Sequence, residues 1–291
     1  MSRLTVSKTP KCYVGGKFIR SESGRTFALN DAKGNFFAHV PQCTRKDVRN
    51  AVEVAGKAGG GWAGRSGYNR GQILYRLAEM IEPRAAELEA ALLLTPGVTA
   101  AAAKAEVVAT IDRIVHYAGW TDKYEQLLGS VNPVASPHFN FTVTDPMGVI
   151  AVVAPDEAPL LGLMTLILPA ITSGNSVVAV ASETAPYASI VLGEMLAVSD
   201  LPGGVVNLLT GFRAEMVSTM ASHVGIRALS GVLSAEERES VEQKAADSVK
   251  RTRLLKAEEP IDWLAGNGPM PSLYAIRDLL EFKTTWHPVG A

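Results

Sequence analysis

Between Gly148 and Leu255, five short β-prone runs alternate with helical stretches, and this alternation constrains the fold more than any other feature. The runs fall near 149–153, 176–180, 205–209, 226–229 and 252–255. Helical patterns near 160–171, 187–197, 214–220 and 235–249 separate them. The first run, Val149-Ile150-Ala151-Val152-Val153, is apolar without a break, as expected of a strand buried on both faces. The spacers are long enough for right-handed crossovers, so the pattern predicts an α/β fold with a parallel sheet of about five strands between helices. Ser234 and Glu237 form a capping box that opens the last of these helices.

The half that precedes this core is mostly helical. Gly15-Gly16 sits between two β-prone runs in Tyr13–Ile19, a hairpin signal, and its mildly basic setting from Lys8 to Arg25 predicts an exposed hairpin. Thr44 and Asp47 make a capping pair ahead of Val48, Val52 and Ala55 at helical spacing. Gly59-Gly60-Gly61 is expected to end that helix as a turn; it lacks the lysine and serine of a phosphate loop. Ile73, Leu77, Met80 and Ile81 share one helical face, Pro83 opens a further helix that stops at Thr95-Pro96-Gly97, and a third spans about 100–128. Residues 1–138 thus read as a hairpin and a helical layer, 139–145 as an isolated alternating strand, and 146–266 as the α/β core. Residues 267–291 read as a linker, Asn267-Gly268-Pro269-Met270-Pro271, and a last strand, Phe282–His287. Unpaired strand edges are a liability, so the two isolated strands are expected to pair with each other or with a second subunit.

Composition excludes several function classes. The 28 basic and 29 acidic side chains nearly cancel, and no extended basic block appears, which argues against a nucleic-acid partner. The longest apolar run, about 158–171, falls short of the ~20 residues that span a bilayer, so no membrane association is expected. Two cysteines, Cys12 and Cys43, without disulfide spacing or a signal-peptide-like start, point to a reducing cytoplasm. The five histidines fall in unrelated segments, so no metal site is expected. Ligands of open α/β sheets bind beyond the carboxyl ends of the strands, which directs attention to Asp156, Glu157 and Glu183. Asp156 and Glu157 read as acids in the first turn of the following helix rather than as a catalytic pair. Glu183 is placed either to hydrogen-bond a ribose hydroxyl or to serve as a solvated turn or helix cap. Cys43 precedes a helix that would stabilise a thiolate, but it lies far upstream of the sheet.

Several segments resemble the aldehyde dehydrogenase superfamily. Tyr13-Val14-Gly15-Gly16-Lys17-Phe18 with Ser23–Phe27 is similar to its opening hairpin, and Tyr117–Lys123 to its helical YAGWADK segment. Pro146–Ile150, Leu168–Val178 and Leu201–Asn207 match its nucleotide-binding half as an ordered set. The resemblance covers about 13–255 and implies a Rossmann-like sheet with an antiparallel oligomerisation element built from strands such as 139–144 and the terminal one.

The departures carry equal weight. Glu157 stands where the family's PWNFP loop has its oxyanion-hole asparagine, and a carboxylate there repels developing negative charge. Val180 replaces the lysine of KPSE, which contacts the cofactor's adenosine ribose or phosphate, whereas the ribose-contacting glutamate persists as Glu183. Leu255 falls where ELGG carries the general base, and no cysteine follows. The resemblance therefore implies no catalytic residue, at most weak NAD or NADP binding, and a missing catalytic domain. Ser248–Thr252 and Lys283–Gly290 resemble the family-sixteen aldehyde dehydrogenases, whose second unit is degenerate and lacks the catalytic cysteine. The expectation is an inactive structural or regulatory subunit, a homo-dimer or larger, or a hetero-oligomer with a full-length aldehyde dehydrogenase. Phe282, Thr284 and Trp286 share one face of the interface strand. The alternatives are an NAD(P)-dependent aldehyde dehydrogenase completed by a partner chain, and a nucleotide-binding module.

Overall fold

Strand and helix periodicities sort the apolar residues onto two buried layers, one on each face of a central sheet. A computed structural model describes residues 8–265 and 271–290. The chain opens with β1 (Cys12–Val14), β2 (Lys17–Ile19), β3 (Thr26–Asn30) and β4 (Phe36–Pro41). Five helices follow: α1 (Arg45–Ala63), α2 (Gly67–Ile81), α3 (Ala85–Leu92), α4 (Ala100–Ala118) and α5 (Tyr124–Leu128). Strands β5 (Ser130–Asn132) and β6 (His138–Pro146) lead into the core. The core runs β7 (Val149–Val153), α6 (Leu161–Thr172), β8 (Ser176–Val180), α7 (Pro186–Leu196), β9 (Val206–Leu209), α8 (Arg213–Ser222), β10 (Ile226–Leu233), α9 (Ala235–Ala246) and β11 (Arg251–Lys256). Helix α10 (Leu273–Arg277) and β12 (Leu280–Pro288) close the chain.

The sheet order is β11-β10-β7-β8-β9-β1-β2, with the first five strands parallel and β1 antiparallel to β9 and β2. Alternate residues of β7 serve opposite layers. Ile150 and Val152 pack with α2, α4, α6 and α7, whereas Val149, Ala151 and Val153 pack with α1 and α8. Helix α6 is buried along its whole length, which explains its apolar residues on every side.

The structure corrects four expectations. The opening hairpin is not merely exposed: Cys12, Tyr13 and Val14 are buried, and β1 and β2 extend the central sheet to seven strands. Its Gly15-Gly16 turn packs on Gly203, where a Cβ would lie 2.8 Å from the Gly15 carbonyl oxygen. Asn207 fastens it further by accepting from the Gly15 N–H at 2.9 Å. Secondly, α1 continues through Gly59–Gly61 to Ala63. Tertiary packing overrides the glycine signal, since Trp62 is fully buried and donates its indole N–H to Ile171 O at 2.8 Å. Thirdly, the span 100–128 is two helices, broken at Gly119–Lys123. Fourthly, α6 starts at Leu161, beyond Asp156 and Glu157, and Glu106 of α4 accepts from the N–H groups of Leu160 and Leu161 at 2.8 and 3.0 Å. Burial pushes the Glu106 carboxyl up from its ordinary range.

Of the two options for the isolated strands, the chain takes the internal one. β12 pairs antiparallel with β6 over nine residue pairs, in a three-stranded sheet ordered β12-β6-β5. Arg251 of β11 ties this return to the core by donating to Leu280 O at 2.6 Å, and Asn175 by donating to Leu279 O at 2.9 Å. The expected linker at 267–271 lies outside the described residues except for Pro271. No described helix is long and apolar enough to cross a membrane.

Candidate functional site

Three connections leave the carboxyl ends of β7, β8 and β9, and their polar side chains interlock. Asp156, after β7, accepts from the Ser182 hydroxyl at 2.6 Å and from the Glu183 N–H at 3.0 Å. Arg213, the first residue of α8, donates to Ala154 O at 2.6 Å and lies 3.0 Å from the other Asp156 oxygen. The Glu183 carboxylate accepts the backbone N–H of Arg213 at the start of α8. The groups best placed to meet a ligand are thus spent on one another.

A second closure comes from the segment after β11. Trp263 is buried, its indole N–H approaches the exposed Glu157 carboxylate at 3.4 Å, and its ring lies against Gly162. Arg113 of α4 clamps this segment, donating to Trp263 O at 2.9 Å and to Thr165 Oγ1 at 2.8 Å. Burial pulls the Arg113 guanidinium below its ordinary pKa.

The third feature is the N-terminus of α9. A helix that starts just after a strand offers N–H groups and a positive dipole end to phosphate. Here the Ala235 N–H donates to Glu258 at 2.8 Å, and Ser234 and Glu237 exchange capping hydrogen bonds. The Ala235 N–H holds the Glu258 carboxyl below its usual range. With Glu236, three carboxylates share this helix end. A cleft of about 290 Å³ between α8 and α9 is lined by Arg213, Val217 and Glu236. Lys244 reaches Ser218 and Ser240 there at 2.9 and 3.2 Å.

Val180 ends β8 fully buried in the core, and Leu255 lies half-buried on β11 opposite Val232. Neither side chain titrates. Among the described residues no group of three or more His, Cys, Asp or Glu is placed to hold a metal ion. A surface groove of about 900 Å³ lies between α2 and the end of α4, and it holds the ion pairs Arg76–Glu79 and Lys123–Asp122.

This order of elements, with helices on both faces of a largely parallel sheet, is that of the cofactor-binding half of one dehydrogenase class. The aldehyde dehydrogenase family model matches residues 18–256, and the chain belongs to that family. It is 32% identical over 253 residues to retinal dehydrogenase 2 of Gallus gallus, covering 85% of this chain and 48% of that protein. It is 32% identical over 217 residues to an aldehyde dehydrogenase of Alternaria alternata, covering 74% of this chain and 43% of that one. The NAD+ complex of an aldehyde dehydrogenase from Bacillus cereus superposes with a TM-score of 0.81 at 26% identity, over 86% of this chain and 51% of that one. The chain spans about half the length of the relatives it matches.

The site residues do not fit the dinucleotide of such a complex. A pyrophosphate at the α9 N-terminus would meet Glu236, Glu237 and Glu258, and a ribose near Glu183 would compete with the Arg213 N–H. Sequence reasoning missed Arg213, Trp263 and Arg113. Arg213 lies four residues past a strand's carboxyl end and could have been found by extending the search for crevice residues to β9. No local signal marks Arg113, whose partners lie 52 and 150 positions away.

Proposed function

We propose that this chain is a catalytically inactive aldehyde-dehydrogenase-like subunit with a structural or regulatory role, similar to the degenerate second unit of the family-sixteen enzymes. It assembles with itself or with a competent aldehyde dehydrogenase. The observation that carries this reading is the contrast between a crevice filled by Arg213, Asp156 and Trp263 and a three-stranded sheet that keeps exposed aromatics. Phe282 and Trp286 on β12 are 44% and 56% exposed, and β12 hydrogen-bonds β6 on one side only. An outer edge of this kind accepts a further strand, and Phe282, Thr284 and Trp286 form the contacting face. The cytoplasm is the compartment that fits this role.

The test is an assay of the purified chain against a broad aldehyde panel with NAD and NADP, with calorimetry for binding. No turnover and a dissociation constant weaker than about 10 μM, roughly −7 kcal/mol, are expected. Turnover lost on Glu157→Gln or Glu183→Gln overturns the reading. Family membership supports one alternative, an NAD(P)-dependent aldehyde dehydrogenase that oxidises aldehyde to carboxylic acid once a partner completes its site. A mixture with a competent relative that exceeds the relative's own rate favours that alternative.

A further inference from the structure

The fold brings together the only two cysteines of the chain, which the sequence separates by 31 positions. Cys12 begins β1, and Cys43 lies in the connection between β4 and α1. Their sulfurs are 3.4 Å apart, and both residues are buried. Each is also fastened to Thr210, at the carboxyl end of β9. The Cys12 sulfur lies 3.3 Å from the Thr210 hydroxyl, and the Cys43 N–H donates to Thr210 O at 2.9 Å. That hydroxyl in turn donates to Pro41 O at 2.7 Å. Thr210 starts the turn that delivers Arg213 to the crevice, and a Cβ on its Gly211 would lie 2.9 Å from the Cys43 nitrogen.

An isolated buried thiol behaves as a small apolar group, but two thiols in van der Waals contact must close only from 3.4 Å to the ~2.05 Å of a disulfide bond. The pair is also asymmetric. The hydrogen bond from Cys43 lowers the Cys12 thiol despite burial, with help from Thr210, whereas the same bond and burial raise Cys43. The thiolate is the reactive form, which favours Cys12 as the attacking sulfur.

We infer that Cys12 and Cys43 form a dithiol site that a small hydroperoxide oxidises to an intrachain disulfide. The Cys12 sulfur attacks one peroxide oxygen; an S–O bond forms, the O–O bond breaks, and the leaving hydroxide departs as water with the Cys12 proton. The Cys43 sulfur then displaces hydroxide from the sulfenic acid; the S–S bond forms, the S–O bond breaks, and a second water carries away the Cys43 proton. Two thiols lose two electrons in total, and hydrogen peroxide is reduced to two waters. Burial admits a small oxidant through local opening and excludes bulky thiol caps. The product ties the opening hairpin to the β4–α1 connection across Thr210 and stiffens the turn that carries Arg213. This site stands apart from the question of catalysis.

The full chain is treated with hydrogen peroxide, unfolded under alkylating conditions and digested without reductant. The expected result is a peptide joining Cys12 to Cys43, lost on dithiothreitol treatment, with a melting midpoint roughly 5–10 °C above the reduced form. In Cys43→Ser, a sulfenic acid at Cys12 is trapped by dimedone present during unfolding, while Cys12→Ser leaves Cys43 unlabelled and the midpoint unmoved. Full alkylation of both thiols after peroxide, or crosslinks between chains only, overturns the proposal. Because the digest is made on the wild-type chain, it decides the question even if a serine variant fails to fold. Dimedone capture at Cys43 in Cys12→Ser overturns the assigned order.

Discussion

The two larger sheets of this molecule are built on opposite economies of burial. Among the parallel strands of the central sheet, β7, β8 and β9 are wholly buried, and only the edge strand β11 is half-buried along its length. The three-stranded sheet leaves Val131, Phe139 and Val143 exposed on one face and Phe282 and Trp286 on the other. Its strands β6 and β12 pair over nine residues, so backbone hydrogen bonding holds them together where apolar burial does not. The proposed assembly rests on these exposed aromatics, whereas the middle strands of the central sheet are sealed.

The comparison predicts unequal costs. Trp62→Ala removes a buried indole and its bond to Ile171 O and should cost ~3–5 kcal/mol in urea unfolding. Equal destabilisation by Phe139→Ala at low protein concentration would break the contrast, since about 1 kcal/mol or less is expected for a half-exposed ring. Arg213→Ala leaves Asp156 without its cation and should cost ~2 kcal/mol in the same measurement. Trp286→Ala should instead act on association, weakening it by ~2 kcal/mol, about thirtyfold in dissociation constant by sedimentation. Deletion of 281–291 should give monomers or aggregate where the intact chain sediments as a dimer or larger; a monomeric intact chain at micromolar concentration removes the partner from the argument.

The smallest effect concerns pH. His116 accepts the Trp120 indole N–H at 3.1 Å, and burial followed by the nearby Arg113 charge lowers its pKa. A depressed folded-state value means the unfolded chain binds the proton more readily. The stability His116 contributes is therefore present above its ordinary value near 6.5 and is lost as pH falls through the lower, folded value. His116→Gln should flatten this part of the stability profile, and an unchanged slope between pH 7 and 5 would remove His116 as its source.

Strands β7 and β8 were legible to the residue because continuous runs of Val, Ile and Ala leave no other placement for five-residue segments. The Thr44–Asp47 and Ser234–Glu237 caps were equally legible, since each is complete within four residues. The glycine run in α1 misled because Trp62, the residue that carries the helix onward, finds its partner 109 positions away. Glu183 was identified as a candidate, yet its hydrogen bond at the start of α8 depends on Arg213, 30 positions on.

Local pattern alone thus determined the alternating α/β core, the capped starts of α1 and α9 and the family resemblance, because propensity, capping and periodicity act between near neighbours. Tertiary structure decided whatever depends on contact between distant segments. It placed β1 in the central sheet, paired β12 with β6, set Arg213 against Asp156, and brought the sulfurs of Cys12 and Cys43 within 3.4 Å. A side chain's sequence position fixes its chemistry, but only the closed chain fixes which group it must neutralise, bond or exclude.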